Sequence, residues 1–452
     1  MLKVGFARVD ITPNLGIGIE GYYEPRTSKG VLDPLLGTAV CFDDGEKRGF
    51  VISLDIIGIR QECSEVIRKE IADAVGTTPD GIFMACTHTH VGPLIEGMTN
   101  HCDFGRDGKA VIEASDYAVW LKSRIVDLCR MAVDDLAPAK LYATHGEVKD
   151  VAFIRRYRMK DGSIRTNPGW QNPDIVEPIG KPDENASLLI IKREGKKEIG
   201  IVNFQVHPDL VGHEKFTADY PKFVRDTYEL NVPNSLCMYL NGTQGDTNHI
   251  DVRLNPETDP CVKGYPRAKY MGKKIAMAVL SNYDLAVEIN GDKVDYAQKL
   301  VEVKHNKGTA EELPAALELA KRYRELGSEG ALPNASREGM SRTQQLAKAV
   351  RIELLKDLPD YRDLRVSALR VGDVLFGGYP GEPFTEMGVR FKESSDFALT
   401  MAGCIVNGYE GYYPVASAFD EGAYEALSSR FVKGTAEKLI DALVALGKEL
   451  KK

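Results

Sequence analysis

Two of the eight histidines stand two apart in Thr87-His88-Thr89-His90-Val91-Gly92-Pro93, directly after the apolar run Ile82-Phe83-Met84-Ala85-Cys86. In an extended segment residues i and i+2 point to one face, so His88 and His90 are expected to project together at a strand end, threonines turned away. Such a pair can share a metal or a substrate oxygen; histidines merely hydrogen-bonded at a strand end are the plainer reading. His207 repeats the placement, following Ile201-Val202-Asn203-Phe204 and preceding Pro208, which ends a strand ladder. Singly it reads as a core histidine. The repetition points to a common site, because ligand crevices in α/β sheets open at the carboxyl ends of strands.

Another apolar run, Met238-Tyr239-Leu240, turns into Asn241-Gly242-Thr243-Gln244-Gly245-Asp246-Thr247-Asn248-His249. Asp246 there can orient a ligating imidazole, hold a nucleophilic water, or simply close a polar turn. Tyr379-Pro380-Gly381-Glu382-Pro383-Phe384 puts a carboxylate between two prolines after the run Val374–Gly378, a rigid backbone that suits a metal ligand. The continuation Asp-His that a metallo-β-lactamase site needs is missing, and no eightfold βα spacing supports an amidohydrolase barrel.

The runs that carry these residues, with Phe50-Val51-Ile52-Ser53-Leu54 and Ser187-Leu188-Leu189-Ile190-Ile191, are continuously apolar and rich in β-branched residues. Strands of this kind are buried on both faces, which predicts an α/β fold with a mixed sheet flanked by helices. Ser64–Val75 reads as a helix with Val66, Ile67, Ile71, Ala74 and Val75 on one face, completing a β-α-β unit that ends at the histidine pair. Residues 309–360 are highly charged and helical in period, with a break at Gly327 to Asn334, and read as an inserted helical hairpin. A solvated excursion, a lid over the site and an oligomer contact all fit that insertion. Tyr424 to Leu446 reads as an amphipathic closing helix.

Of 452 residues 43% are hydrophobic and 27% charged, which excludes disorder, and the net charge of −8 argues against a phosphate-tracking surface and so against nucleic acid. No apolar run reaches the roughly 18 residues of a membrane span, and the N-terminus reads directly as a strand, with no secretory signal. The cysteines, at 41, 63, 86, 102, 129, 237, 261 and 404, show no CxxC spacing and read as free thiols of a reducing cytoplasm.

Six segments stand in an order that resembles the neutral/alkaline ceramidase family: Asp10-Ile11-Thr12-Pro13, the His88 segment, His207, Asn241–Asp246, Pro380-Gly381-Glu382-Pro383 and Tyr424-Glu425-Ala426-Leu427-Ser428. The resemblance spans nearly the whole chain and implies one catalytic domain over residues 1–452, interrupted by the 309–360 hairpin. It implies a Zn²⁺ ion held by His88, His207, Glu382 and Tyr424. It further implies that His90 and Tyr412 contact substrate, that Asp246 orients or deprotonates, and that Arg155 recognises an anionic group or an oxyanion.

Two departures shape the expectation. The family carries a serine, proposed to be catalytic, two residues after the Asp246 position, whereas Asn248 stands here. An amide is no nucleophile, which leaves attack by zinc-bound water on a carbonyl, with Asn248 as a donor to the oxyanion and His249 as a spare candidate for proton transfer. Ceramidases are also usually exported and carry a further C-terminal β-sandwich domain, neither of which is read here. The expectation is therefore a zinc-dependent cytoplasmic hydrolase of an amide or ester bond in a small soluble molecule, without stable membrane insertion, and able to form a homo-oligomer. A lactone or carbohydrate-ester hydrolase on the same scaffold, or an inactive metal-dependent binding protein, are the alternatives.

Overall fold

The computed structural model describes residues 1–95, 115–259, 261–336 and 339–452; Cys102 lies outside them. The first half of the chain supplies β1 (Lys3–Asp10), the small hairpin β2 (Gly18–Ile19) and β3 (Arg26–Thr27), β4 (Leu36–Asp43), β5 (Arg48–Leu54), α1 (Gln61–Val75) and β6 (Ile82–Cys86). There follow α2 (Asp116–Asp134), β7 (Ala137–Glu147), β8 (Asn185–Arg193), β9 (Glu198–Phe204), α3 (Tyr220–Asn231), β10 (Ser235–Asn241), α4 (Gly264–Leu280) and β11 (Val287–Ile289). The second half gives β12 (Val294–Lys304), α5 (Leu313–Ala331), α6 (Ser341–Leu355), β13 (Tyr361–Val371), β14 (Val374–Gly378), α7 (Thr385–Glu393), β15 (Leu399–Gly403), α8 (Tyr424–Ser428) and α9 (Thr435–Lys451).

A nine-stranded sheet runs β10-β9-β8-β7-β1-β4-β5-β6, with β11 also on β7. Its middle is antiparallel, and only the two outermost pairs, β9/β10 and β5/β6, are parallel. Each parallel pair is joined by a helix, α3 or α1, because a parallel neighbour can be reached only by a crossover. A four-stranded sheet, β12-β13-β14-β15, covers one face of the large sheet. Strand alternation divides the core accordingly. Cys41, Ile52, Ile190 and Tyr239 face α1 to α4, while Phe42, Val51, Leu189 and Met238 meet Leu369, Phe376 and Met401 of the second sheet. The second sheet's outer face packs on α7 and α9. Four layers, helix-sheet-sheet-helix, bury the strands on both faces, which is why their sequences are apolar without alternation.

The large sheet coils until its two edges approach. Ser53 of β5 donates from Oγ to the carbonyl of Tyr239 on β10 at 2.7 Å, and Asn241 Nδ2 donates to the Thr87 carbonyl at 3.0 Å. The remaining gap is bridged by the segment after β15, whose Cys404 N–H reaches Asn241 and whose Ile405 carbonyl accepts from Cys86. The carboxyl ends of β6, β9 and β10 thus meet, although their sequence positions are far apart.

Three expectations change. At about 100° per residue, Val66 falls opposite the stripe Ser64, Ile67, Arg68, Ile71, Ala72 and Val75, and it is 54% exposed. The closing helix is two helices, because Phe431 leaves the helix to bridge His305 and Gly434 adopts φ 92°. The hairpin at 309–360 is present as α5 and α6, but α5 runs on through its kink at Gly327 to Ala331.

At the base of the junction Asp55, fully buried after β5, accepts two hydrogen bonds from the Arg225 guanidinium at 3.0 and 2.7 Å, one from the Leu36 N–H and one from Thr87 Oγ1. Removing one partner strands a buried charge, at about 3–5 kcal/mol. Arg225→Met is expected to destabilise the protein by that amount in urea unfolding, and Asp55→Asn in the same chain to restore part of it.

Candidate metal centre

β6 ends at Cys86, and the histidine pair lies beyond it. His88 stands at φ 72°, held there by its N–H on the Ile56 carbonyl and by Thr87 N–H on the Leu54 carbonyl. The pair therefore meets through a strained loop and not through strand alternation: His88 Nε2 and His90 Nε2 are 3.3 Å apart. His207 arrives three residues beyond β9, and Glu382 follows β14 in a two-residue strand paired with Tyr412 and Tyr413. His88, His207 and Glu382 are each 99% buried.

Hydrogen bonding fixes the rings. His88 Nδ1 meets the Ile57 carbonyl at 2.8 Å and His207 Nδ1 the Gln244 carbonyl at 3.4 Å, so both carry the proton on Nδ1 and present an Nε2 lone pair. Those lone pairs point at one carboxylate oxygen: Glu382 Oε2 is 3.3 Å from His88 Nε2 and 3.4 Å from His207 Nε2. Neither Glu382 Oε2 nor His207 Nε2 has a hydrogen-bond partner, although both are buried. Glu382 Oε1 accepts from the Tyr409 hydroxyl at 3.2 Å, which turns Oε2 inward.

Burial opposes ionisation of Glu382, but His88, Arg155 and His90 outweigh it and hold the carboxyl below its ordinary range. Burial, then Arg155, His88 and His90, push the His207 imidazole well below its ordinary value. A Glu382 carboxylate and a neutral His207 imidazole are protonation states a metal requires. Donors at about 2.0–2.1 Å from a tetrahedral Zn²⁺ are separated by about 3.3–3.4 Å, the separations seen here. The residues fit the ion. Ligand atoms of His88, His90 and His207 all lie within 4.8 Å of one another, which brings His90 closer to the ligand set than its expected place beside it.

The other expected residues surround this centre. The Tyr412 ring stacks on His207 at 6.4 Å between centroids, and Tyr424 packs edge-on to Tyr412 at 5.6 Å. Burial raises both phenols well above their ordinary values, Arg155 opposing the rise in each. Arg155 is fixed by Glu425 at 2.7 Å and by the Gly245 carbonyl at 2.8 Å, and its guanidinium lies 5.3 Å from the Tyr412 ring centre. Asp246 is bonded elsewhere: its Oδ1 accepts from the N–H and hydroxyl of Thr385, three residues after Glu382, while the imidazoles are oriented by main-chain carbonyls. Asn248 Nδ2 donates to Asn167 Oδ1 at 2.6 Å and Asn248 Oδ1 accepts from the Ile250 N–H. Thr247 bonds back to the Gln244 carbonyl. His249 is buried, and burial pushes its imidazole down to about 4.

Sequence reasoning missed Asp209, two residues after His207. Its carboxylate accepts from the Tyr22 hydroxyl and lies 3.8 Å from His90 Nδ1. The only trace in the sequence is the tripeptide His207-Pro208-Asp209. Glu425 was also missed as an anchor. It holds Arg155 and Thr166 and lies 3.7 Å from Arg156, and its neighbour Ala423 stands at φ 72°.

Dialysis with metal analysis is expected to find one Zn²⁺ per chain, and Glu382→Gln to weaken its binding at least tenfold. Zinc lost in His90→Ala but kept in Tyr424→Phe would place His90, and not Tyr424, among the ligands. Because the folded protein refuses the His207 proton that the unfolded chain accepts below about pH 6.5, metal-free protein should lose stability as pH falls through that value. Unfolding midpoints unchanged from pH 7.5 to 5.5 would contradict that assignment.

No family model matches the chain, and no curated protein sequence does. Solved structures do. A neutral ceramidase from Pseudomonas aeruginosa matches the whole of this chain and 74% of its own with a TM-score of 0.72 at 17% identity. A ceramidase complexed with C2 matches the whole of this chain and 75% of its own with a TM-score of 0.73 at 16% identity. The mixed α/β fold is thus of the neutral-ceramidase type, as the order of the motifs implied.

Proposed function

We propose that this chain, on its neutral-ceramidase-type fold, is a zinc-dependent hydrolase that cleaves an amide or ester bond of a small soluble molecule. The observation that carries the reading is the convergence of His88 Nε2, His207 Nε2 and Glu382 Oε2, buried and with no other cation among the described residues bonded to them. His88, His207, Glu382 and Tyr424 are the proposed ligands. Zn²⁺ bound there would polarise a carbonyl and supply hydroxide at neutral pH, since it lowers the pKa of water to about 7.

The protein's own groups then have separate tasks. The Ile57 and Gln244 carbonyls and the Tyr409 hydroxyl keep the donors aimed. Tyr412, polarised by the Arg155 guanidinium, is the proposed donor to the oxyanion that develops on the carbonyl. Arg155 acts from a fixed position, its Nε on Glu425 and one Nη on Gly245. His90, with Asp209 behind it, is the proposed proton carrier to the leaving group. Asp246 positions the Glu382 loop through Thr385. The carboxamide of Asn248 excludes an acyl-enzyme at that residue, and the attacking group is water.

Asn248 also favours a second reading within the same chemistry: esters and lactones, whose leaving groups need less activation than amines, suit a site without the serine. The seven described cysteines are all free, which supports a reducing compartment. N-acyl amides of short and long chain, aryl esters and lactones are the substrates to screen. His88→Ala is expected to abolish zinc content and at least 99% of turnover together; retention of both refutes the site. Bound zinc with no turnover on any class would favour a binding protein. Asn248→Ser is expected to raise amidase relative to esterase kcat/KM if the absent serine explains the preference.

A further inference from the structure

The tip of the β2–β3 hairpin lies against the metal centre. Gly21 stands at φ +119°, and a Cβ there would come within 2.9 Å of His90 Cα and Nδ1, so the main chain presses on the imidazole. The Tyr22 ring packs on His90 at 5.6 Å between centroids and its hydroxyl donates to Asp209. Arg26 stacks on Tyr22 at 4.1 Å and donates to the carbonyls of His90 at 2.7 Å and Glu20 at 2.9 Å. Tyr23 hydrogen-bonds Tyr424 and packs beside Ala347 and Tyr412.

Two residues per strand cannot hold such a tip by themselves. The grip comes from the helical hairpin. Tyr323 of α5 donates its hydroxyl to the Tyr23 carbonyl, its ring 6.1 Å from that of Tyr23, and Ser328 donates to Glu24 Oε1. Tyr23 also enters the small core that α5 and α6 share, formed by Ala320, Ala331, Leu346 and Val350. Ser328 reaches Glu24 because Gly327, at φ 70° and ψ −179°, redirects α5 one residue earlier. On the other side α6 is tied to the site by Arg351, which donates to the Leu427 carbonyl at 2.8 Å, and by Met340, whose sulfur accepts from Asn167 Nδ2.

We infer that Gly21–Glu24, latched by Tyr323 and Ser328 of the helical hairpin, is the specificity-determining cap of the metal centre, and that it admits compact polar acyl groups while excluding long hydrocarbon chains. The inference rests on the hydrolase reading for its substrate class but not for the latch. The groups gathered at the tip are the phenols of Tyr22, Tyr23, Tyr412 and Tyr424, the Asp209 carboxylate and the guanidinium of Arg26. Those groups make a polar surround that suits a hydroxylated or amino-bearing substrate, and none of them supplies an aliphatic wall for an acyl chain. The charged hairpin, whose role the sequence left open, thereby acts on the substrate side of the site.

Hydrogen exchange on the full-length protein reads the latch without any substrate. In the double variant Tyr323→Phe, Ser328→Ala, amides of residues 19–27 are expected to exchange at least tenfold faster, with β4, β5 and β9 unchanged. Exchange at 19–27 equal to that of the unaltered protein overturns the latch. Selectivity reads the cap: Tyr23→Ala and the double variant should each raise the ratio of kcat/KM for a sixteen-carbon over a two-carbon acyl substrate at least tenfold. A faster-exchanging tip with an unchanged ratio overturns the cap and leaves the hydrolase reading standing. If the unaltered zinc-loaded protein turns over neither substrate, the hydrolase reading fails and the proposed selectivity fails with it, whereas the exchange result still decides the latch.

Discussion

Three electron-pair donors facing one another inside a protein is an arrangement that ordinary packing avoids. Two imidazole lone pairs and a carboxylate oxygen at 3.3 and 3.4 Å repel unless a cation or a proton sits among them. The rest of the molecule is arranged to hold them there. The two carbonyls behind the rings and the Tyr409 hydroxyl behind Glu382 leave the donors no other direction. Positive φ is forced on His88 itself and on Ala423, the residue before Tyr424. That strain is sustained by the four-layer core, whose buried strands supply the rigidity that a loop-built site lacks.

Much of the centre was legible because each donor follows an apolar run, and two of them, His207 and Glu382, directly precede a proline that stops a strand. His88 is marked instead by the second histidine two positions on. The doubly buried strands were legible too, since a run such as Ile199–Phe204 has no polar alternation to contradict burial. What the residues did not reveal was that the sheet is antiparallel in its middle, or that it coils until β6 and β10 touch. Register and coiling depend on which residues pair across strands and on packing between the sheets, as of Phe42 and Phe83 on Phe376, a property of pairs that single positions do not carry.

The illegible parts have physical reasons of a second kind. The partners that set the tautomers are main-chain carbonyls of Ile57 and Gln244, and a carbonyl has no residue signature. Asp246 looked free to serve the imidazoles because the Thr385 that engages it is 139 positions away. The apolar count that included Val66 could not see that Arg68, buried and bonded to the Pro79 carbonyl, takes the inner face in its place. The sequence left the helical hairpin's role open among a solvated excursion, a lid and an oligomer contact because its charged outer face hides the inner one, whose Tyr323 and Ala347 pack towards the site.

The donors stand at positions 88, 207 and 382 and reach one another only after the sheet has coiled and the second sheet has closed on it. Loops of more than a hundred residues must shut before any two of them touch, and such long-range contacts form late. An ion therefore cannot serve as an early template for this chain, as it does in small metal-nucleated modules. On the metal reading proposed above, capture would come at the end of assembly, so that a loaded centre would certify a completed topology, and a chain arrested with either sheet edge open would stay without its ion.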